Sequence, residues 1–292
     1  MRLICIILLG LTFTGCNMFL SPIVLEFKDT SAWDLALAVS QGDTDEIEAL
    51  LNSDPNILNV SGPESGGNVL SLSIALENFD SFKKLLELGA NPNSINTLSK
   101  RSVLIESIRF FDTPEPFTID QRYPELLLKY GADPNYAVER DFTDELGYFQ
   151  HATSPIMEAV QYEIGLVKLL IQYGADPHKG IEQNKAIPLK SAITGFRNKF
   201  VVSNFLIDSL GVDVHQPLCE VLRQPSNQLV TFYIQDYAVN KFTQAQLMKD
   251  SAKVAKLIEL HPGIKEANNE RWAFIEKLQK LGVDFENHIY KL

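Results

Sequence analysis

Cysteine, basic residues and long apolar runs are all scarce in this chain, and each scarcity excludes a class of protein. Cysteine occurs three times in 292 residues, so a fold held together by disulfides is not expected. Lysine and arginine number 26 against 37 aspartate and glutamate, which gives a net charge of −11. Binding to nucleic acid phosphates needs the opposite balance, so no nucleic acid partner is expected.

Sequence motifs for catalysis are scarce as well. The five histidines have no HExxH spacing, and no Gly-x-Ser-x-Gly phrase occurs. The glycine-rich stretch 62–67 is similar to a phosphate-binding loop, but Asn68 and Val69 stand where that loop needs lysine and then serine or threonine. We therefore expect a connecting loop there, and we expect no catalytic residue, cofactor or bound metal.

The amino terminus differs in composition from the rest of the chain. Its apolar run, residues 3–11, is shorter than the roughly 20 residues that span a membrane. Arg2 precedes this run and small residues follow it, as in a signal peptide. Thr14-Gly15-Cys16 resembles a bacterial lipobox. That resemblance implies a signal peptide over residues 1–15, lipidation of Cys16, a tether over residues 16–31, and a membrane-anchored lipoprotein of the bacterial cell envelope on its periplasmic or surface side.

Two other interpretations of this segment stay open. Apolar residues resume over 18–25, so the segment could be an uncleaved anchor helix, or it could be an ordinary secretion signal. All three interpretations place the remainder of the chain outside the cytoplasm. Cys5 would leave with the signal, and Cys219 would then be the remaining free thiol. We expect it to be buried at the start of a helix.

A short phrase recurs along the chain. It reads Leu-Leu-x-x-Gly-Ala-Asn/Asp-Pro-Asn at residues 85–93 and 127–135, and it returns with one more residue before the glycine, as Leu-Leu-Ile-Gln-Tyr-Gly-Ala-Asp-Pro-His, at 169–178; fainter copies lie at 206–215 and 278–287. A repeat of roughly 33 residues is typical of a stacked solenoid. The glycine can adopt the left-handed turn that ends a helix, and prolines such as Pro155 and Pro188 suit the first turn of the next one.

The phrase resembles the second half of the ankyrin repeat. The opening phrase of that family survives as Ser154-Pro155-Ile156, Ile187-Pro188-Leu189 and Gln216-Pro217-Leu218. The resemblance implies an all-α solenoid of helix-turn-helix units over residues 32–292, with six to seven repeats, degenerate capping repeats and an irregular part after about residue 216. It also implies that the concave face and the fingers between repeats bind a protein partner.

One connector is longer than its equivalents. The segment from Gly131 to Ser154 spans 23 residues, whereas two connectors at the same point of the repeat span 13 each. Insertions in repeat proteins map to loops, and aromatic side chains often anchor interfaces. A loop that folds back over the array would explain the aromatics equally well. The predicted partner-binding residues are Phe142, Asp144, Glu145, Tyr148 and Phe149.

The repeat class and the predicted location in the cell envelope together predict a non-enzymatic protein-binding lipoprotein. A sharper form of this hypothesis is an immunity or inhibitor protein that neutralises a periplasmic toxin or hydrolase. An envelope scaffold or a host-interaction protein is the first alternative. The second is an enzyme whose site lies in the irregular stretch 227–260, which contains Tyr233, Asp236, Tyr237, Lys249, Asp250, Lys253, Lys256 and Glu259.

Overall fold

The chain folds into helix pairs that follow one another in order. The computed structural model describes residues 20–108, 119–181, 187–194, 199–214 and 236–285. The described helices are α1 Pro22–Leu25, α2 Trp33–Gln41, α3 Thr44–Ser53, α4 Val69–Ala75, α5 Phe79–Glu87, α6 Val103–Ile108, α7 Arg122–Lys129, α8 Pro155–Ala159, α9 Ile164–Gln172, α10 Pro188–Thr194, α11 Lys199–Leu210, α12 Asp236–Leu247, α13 Ser251–Leu260 and α14 Ile264–Lys280.

The recurring glycine ends the second helix of each pair. Gly89, Gly131 and Gly174 have φ between 88° and 96°, a region that only glycine adopts without strain. The alanine after each glycine donates its N–H to the carbonyl five residues back, as from Ala90 to Leu85 at 2.9 Å. This arrangement satisfies carbonyls that the helix end would otherwise leave free. The repeated phrase therefore encodes a helix stop, as the sequence predicted.

Successive pairs stack in two layers. The inner helices α2, α4, α6, α8 and α10 contact one another in order, and the outer helices α3, α5 and α7 do the same. One apolar cluster runs through all of these pairs. The predicted all-α solenoid of the ankyrin type is thus confirmed over its first five units.

The buried face of the outer helix α9 is narrower than the sequence indicates. On α9, Leu166, Val167 and Leu170 are fully buried, whereas Leu169 is only partly buried. Each helical residue is rotated by about 100° from the one before, so Leu169 lies at the edge of the interface. Helical spacing of Leu166, Val167, Leu169 and Leu170 predicts one buried face for all four, and Leu169 is the exception.

Two-stranded fingers connect the units. Their bases are the antiparallel bridges Ser61–Asn68, Ile95–Ser102 and Val138–Thr153. Six residues, 62–67, lie within the first bridge and six, 96–101, within the second, but fourteen, 139–152, lie within the third. The third finger therefore carries the insertion.

An asparagine at the end of each repeat phrase ties one unit to the next. Asn93 donates to Gly131 O at 2.9 Å and accepts from Asp133 N at 2.7 Å. In the same way, Asn135 donates to Gly174 O and accepts from Asp176 N, both at 2.8 Å. Spacing between these units is fixed by paired hydrogen bonds as well as by apolar packing.

The segment before the first repeat packs against it. Val24 and Phe27 are each 1% exposed and belong to the main apolar cluster. The division of the chain into a tether over 16–31 and an array from 32 stays a prediction. Residues 20–31, the described part of that segment, nevertheless lie against the solenoid.

The carboxyl-terminal helices pack around a buried arginine. Arg271 on α14 is fully buried, and its guanidinium donates to Asn268, to Asn240 and to the carbonyl of Val239 on α12 at 2.8–3.0 Å. The same helix packs on α11, where Lys277 donates to Asp208 and Asn204 at 2.7 Å. Among the described residues, no helix is both long and apolar enough to cross a bilayer.

Candidate protein-binding surface

The insertion in the third finger forms a hydrogen-bonded hairpin. Strand β1, Phe142–Thr143, pairs antiparallel with β2, Phe149–Gln150. The Val138–Thr153 bridge closes its base with N–H···O bonds of 2.8 and 3.0 Å. The finger thus extends the bridge found between the other repeats.

Asp144 organises the turn of this hairpin. Its carboxylate accepts from the backbone N–H of Tyr148 at 2.8 Å, from that of Leu146 at 3.1 Å and from the amide of Gln150 at 2.8 Å. Desolvation alone would raise the pKa of Asp144, but the hydrogen bonds, led by that of Gln150, hold the pKa below its ordinary value. The carboxylate is therefore ionised at neutral pH and engaged within its own turn.

A second carboxylate fixes the base. Asp141 accepts from the backbone N–H of Ala152 at 2.7 Å, and its oxygen lies 4.0 Å from Nδ1 of His151. The ring of His151 makes an edge-on contact with Phe149, with centroids 4.8 Å apart. Two acidic side chains thus set the shape of the hairpin before any partner is present.

Three large apolar side chains point away from this hairpin into solvent. Tyr148 is 67% exposed, Phe149 57% and Leu146 50%. Glu145 beside them is exposed, whereas Phe142 is partly buried. The structure brings the five predicted residues together on one hairpin, although Asp144 acts within the turn. Leu146 was not among the predicted binding residues, which were all acidic or aromatic. Its apolar side chain in a polar loop is nevertheless visible in the sequence.

The backbone of the glycine-rich loop in the first finger binds a side-chain carboxylate of the same chain. Oε2 of Glu26 accepts the backbone N–H of Glu64 at 3.0 Å and that of Ser65 at 2.8 Å. A Cβ on Gly62 would lie 2.5 Å from the same oxygen. Residues 62–67 form the expected connecting loop, and its backbone binds a carboxylate of the same chain.

That loop is also bound to the second finger. The side-chain amide of Asn96 donates to Ser65 O at 3.0 Å and to Glu106 Oε1 at 2.8 Å, and Ser71 donates to the other Glu106 oxygen at 2.7 Å. Burial raises the pKa of Glu106, although the bonds from Ser71 and Asn96 oppose this shift. A polar network therefore connects the amino-terminal segment with the third repeat.

No enzyme-like cavity accompanies these contacts in the described part of the chain. A shallow cleft of about 10 Å³ lies between successive finger bases, with Asn135, Asp176 and Lys179 among its lining. Within the ranges that the structure describes, no three metal-binding side chains converge. His178 is exposed at the repeat end, and its predicted equivalent His215 lies outside the described residues, as do Cys16 and Cys219.

The alternative site in the carboxyl-terminal region is only partly described. Residues 227–235 lie outside the described residues. Lys253, Lys256 and Glu259 are exposed on α13, and Asp250 caps that helix by accepting from the N–H of Lys253 at 3.0 Å. Among the described residues of this stretch, these polar side chains do not line a pocket.

Comparison with known proteins adds little to this geometry. No protein-family model and no curated protein matches the chain. Among solved structures, the human ASB11 ankyrin repeat domain is similar at 21% sequence identity and a TM-score of 0.48, over 74% of this chain and 83% of that domain. A likeness of this strength does not decide function, so the function has to be inferred from the fingers and the hairpin.

Proposed function

We propose that this protein binds another protein through the hairpin of its third finger and the adjoining concave face of the solenoid. The supporting observation is the exposure of Leu146, Tyr148 and Phe149 on a hairpin whose shape is fixed by Asp141 and Asp144. Each large apolar side chain that is exposed costs free energy that a partner would recover by covering it. Because the hairpin is already ordered, little conformational entropy is lost on binding.

The proposed cellular location of the protein is the bacterial cell envelope. Its support is the lipobox-like sequence that ends at Cys16, a residue outside the described ones. A lipid at Cys16 would keep the array close to a membrane while the fingers stay free to bind. In that setting the binding of a toxin or hydrolase, as in an immunity or inhibitor protein, is the form of the function that we propose.

A site-specific crosslinking experiment tests partner binding. A photo-reactive phenylalanine placed at Tyr148 is expected to crosslink one protein in intact cells. The matched control places it at Tyr130, which is also an exposed aromatic, at 42%, but lies at the end of an outer helix. Equal crosslinking patterns at the two positions, or none at Tyr148, would contradict the proposal.

A triple variant tests which side chains carry the binding. Replacing Leu146, Tyr148 and Phe149 by serine is expected to abolish capture of the crosslinked protein without lowering the melting temperature, because these side chains are exposed. The control replaces Val201 and Met248, which are 57% and 55% exposed elsewhere, by serine. Retention of the partner by the triple variant would remove the hairpin from the interface.

A further inference from the structure

The charges of this chain are distributed unevenly between its two halves. Residues 1–181 contain 25 acidic and 12 basic residues, whereas residues 182–292 contain 12 acidic and 14 basic ones. The excess of negative charge therefore belongs entirely to the part that holds the first four repeats and the hairpin. Charge asymmetry of this kind indicates the electrostatic character of a partner rather than the fold.

The asymmetry is sharpest in the part of the first two repeats that precedes Lys83 and Lys84. Residues 29–82 contain ten acidic residues and no basic one. Nine of these side chains are exposed, and Glu48, the tenth, is paired with Lys84 of the next outer helix. Among the described residues, the others of this stretch make no ion pair. This end of the solenoid carries a negative potential that internal pairs do not cancel.

The hairpin has the same sign of charge. Residues 139–151 contain four acidic residues and one basic residue, Arg140. The carboxylate of Asp144 accepts its hydrogen bonds from neutral amides, which leave its charge in place. Glu139, next to the base of the hairpin, and Glu145, in its turn, are exposed, and so is Arg140. The exposed apolar side chains therefore lie on a hairpin with a net negative charge.

From this combination we infer that the hairpin binds a protein surface on which an apolar pocket is bordered by lysine and arginine. The inference rests on the proposed function and adds the chemistry of the partner. The apolar side chains would enter the pocket, and the acidic side chains of the hairpin would pair with the basic ones around it. The acidic first repeats would attract the same basic surface from a distance, which raises the association rate more than it slows dissociation.

Synthetic peptides of defined charge and polarity stand in for the partner surface in the first test. The probe is a 14-residue peptide of alternating lysine and leucine, compared with a glutamate–leucine peptide and a lysine–serine peptide. We expect the lysine–leucine peptide to bind the full chain at least about tenfold more tightly than either of the others. Raising the salt concentration from 50 to 500 mM shortens the screening length of the charges severalfold. We expect this change to weaken binding of the lysine–leucine peptide severalfold.

Three variants locate the binding. Serine at Leu146, Tyr148 and Phe149 should lower the affinity for the lysine–leucine peptide to that of the lysine–serine peptide. Reversing Glu139 and Glu145 to lysine should weaken it about tenfold, whereas reversing Glu259 and Glu266, which are exposed on the carboxyl-terminal helices, should have little effect. Equal losses from both charge reversals would show non-specific attraction and overturn the inference.

The outcomes for the two proposals can be separated. If Tyr148 crosslinks a protein but the glutamate–leucine peptide binds as well as the lysine–leucine peptide, then partner binding stands and the basic partner surface is wrong. If neither peptide binding nor crosslinking depends on the hairpin, then both proposals are wrong.

Discussion

The contact between Glu26 and the first finger leads to the most direct test of this structure. One carboxylate oxygen accepts two backbone N–H groups, from Glu64 and Ser65, across 38 and 39 residues of sequence. Replacing Glu26 by alanine removes both hydrogen bonds. Replacing Gly62 by alanine should have the same effect by a different route, because its Cβ would occupy the place of the carboxylate.

The magnitude follows from the exposure of the partners. A hydrogen bond to a charged group contributes about 1.5–3 kcal/mol where it is protected from water. Glu64 and Ser65 are exposed, so water can replace the carboxylate and recover much of this free energy. We expect Glu26→Ala to destabilise the loop locally by about 1–2 kcal/mol, which corresponds to about 5- to 30-fold faster exchange of the two amide protons.

Amide hydrogen exchange, read residue by residue by NMR spectroscopy, measures this effect. The control is Asp29→Ala, which removes the same charge from an exposed residue three positions away. The amide protons of Glu64 and Ser65 should exchange faster in Glu26→Ala than in Asp29→Ala, while those of α4 stay unchanged. If both variants give the same exchange rates at these two amides, the carboxylate does not occupy the loop.

Two further predictions concern the core and the pH dependence of stability. Leu170→Ala should lower the free energy of unfolding by about 2–5 kcal/mol, and Leu169→Ala by clearly less, because only Leu170 is fully buried. Urea unfolding followed by circular dichroism measures both losses. Equal losses would contradict the register of α9. The raised pKa of Glu106 means that its folded state holds the proton more tightly, so this contribution to stability is present at low pH and is lost as pH rises above the ordinary value of 4.5. As the pH rises above 4.5, the free energy of unfolding of the unaltered protein should therefore fall relative to that of Glu106→Gln. If the difference in free energy of unfolding between the two proteins does not change with pH, or changes in the opposite direction, burial does not control this carboxyl.

The helix stops and the stacking could be predicted from sequence because their causes are local. A glycine after Leu-Leu-x-x and a proline at the first turn act within a few residues, and they recur at the repeat period. The position of the hairpin was also readable, because one connector is longer than its equivalents. Even so, the periodicity did not separate Leu169 from Leu170, since both fall within the apolar stripe.

Contacts between distant residues could not be predicted in this way. Nothing in the spacing of Glu26 and Ser65 indicates that one binds the other. Arg271 lies in a charged stretch and reads as a surface residue, yet it is fully buried because Asn240, Asn268 and the Val239 carbonyl accept its protons. Such sites depend on how separate helices meet, and an amphipathic pattern does not record the partner of each polar group.

The position of the hairpin follows from the same contacts that hold the repeats at constant spacing. Asn93 and Asn135 tie the end of one helix pair to the end of the next, so residues cannot be added there without breaking these bonds. The finger tips lie beyond the Ser61–Asn68, Ile95–Ser102 and Val138–Thr153 bridges. The first tip is bonded to the second, through Asn96 to Ser65 O and Thr97 N to Gly66 O, whereas the third is closed by the pairing of its own strands. Fourteen residues can replace six at this point while Val138 and Thr153 stay paired, because the added strands bond to each other. A longer finger is therefore the least costly place on this solenoid to build a protruding surface, and Leu146, Tyr148 and Phe149 lie on the one that the chain has lengthened.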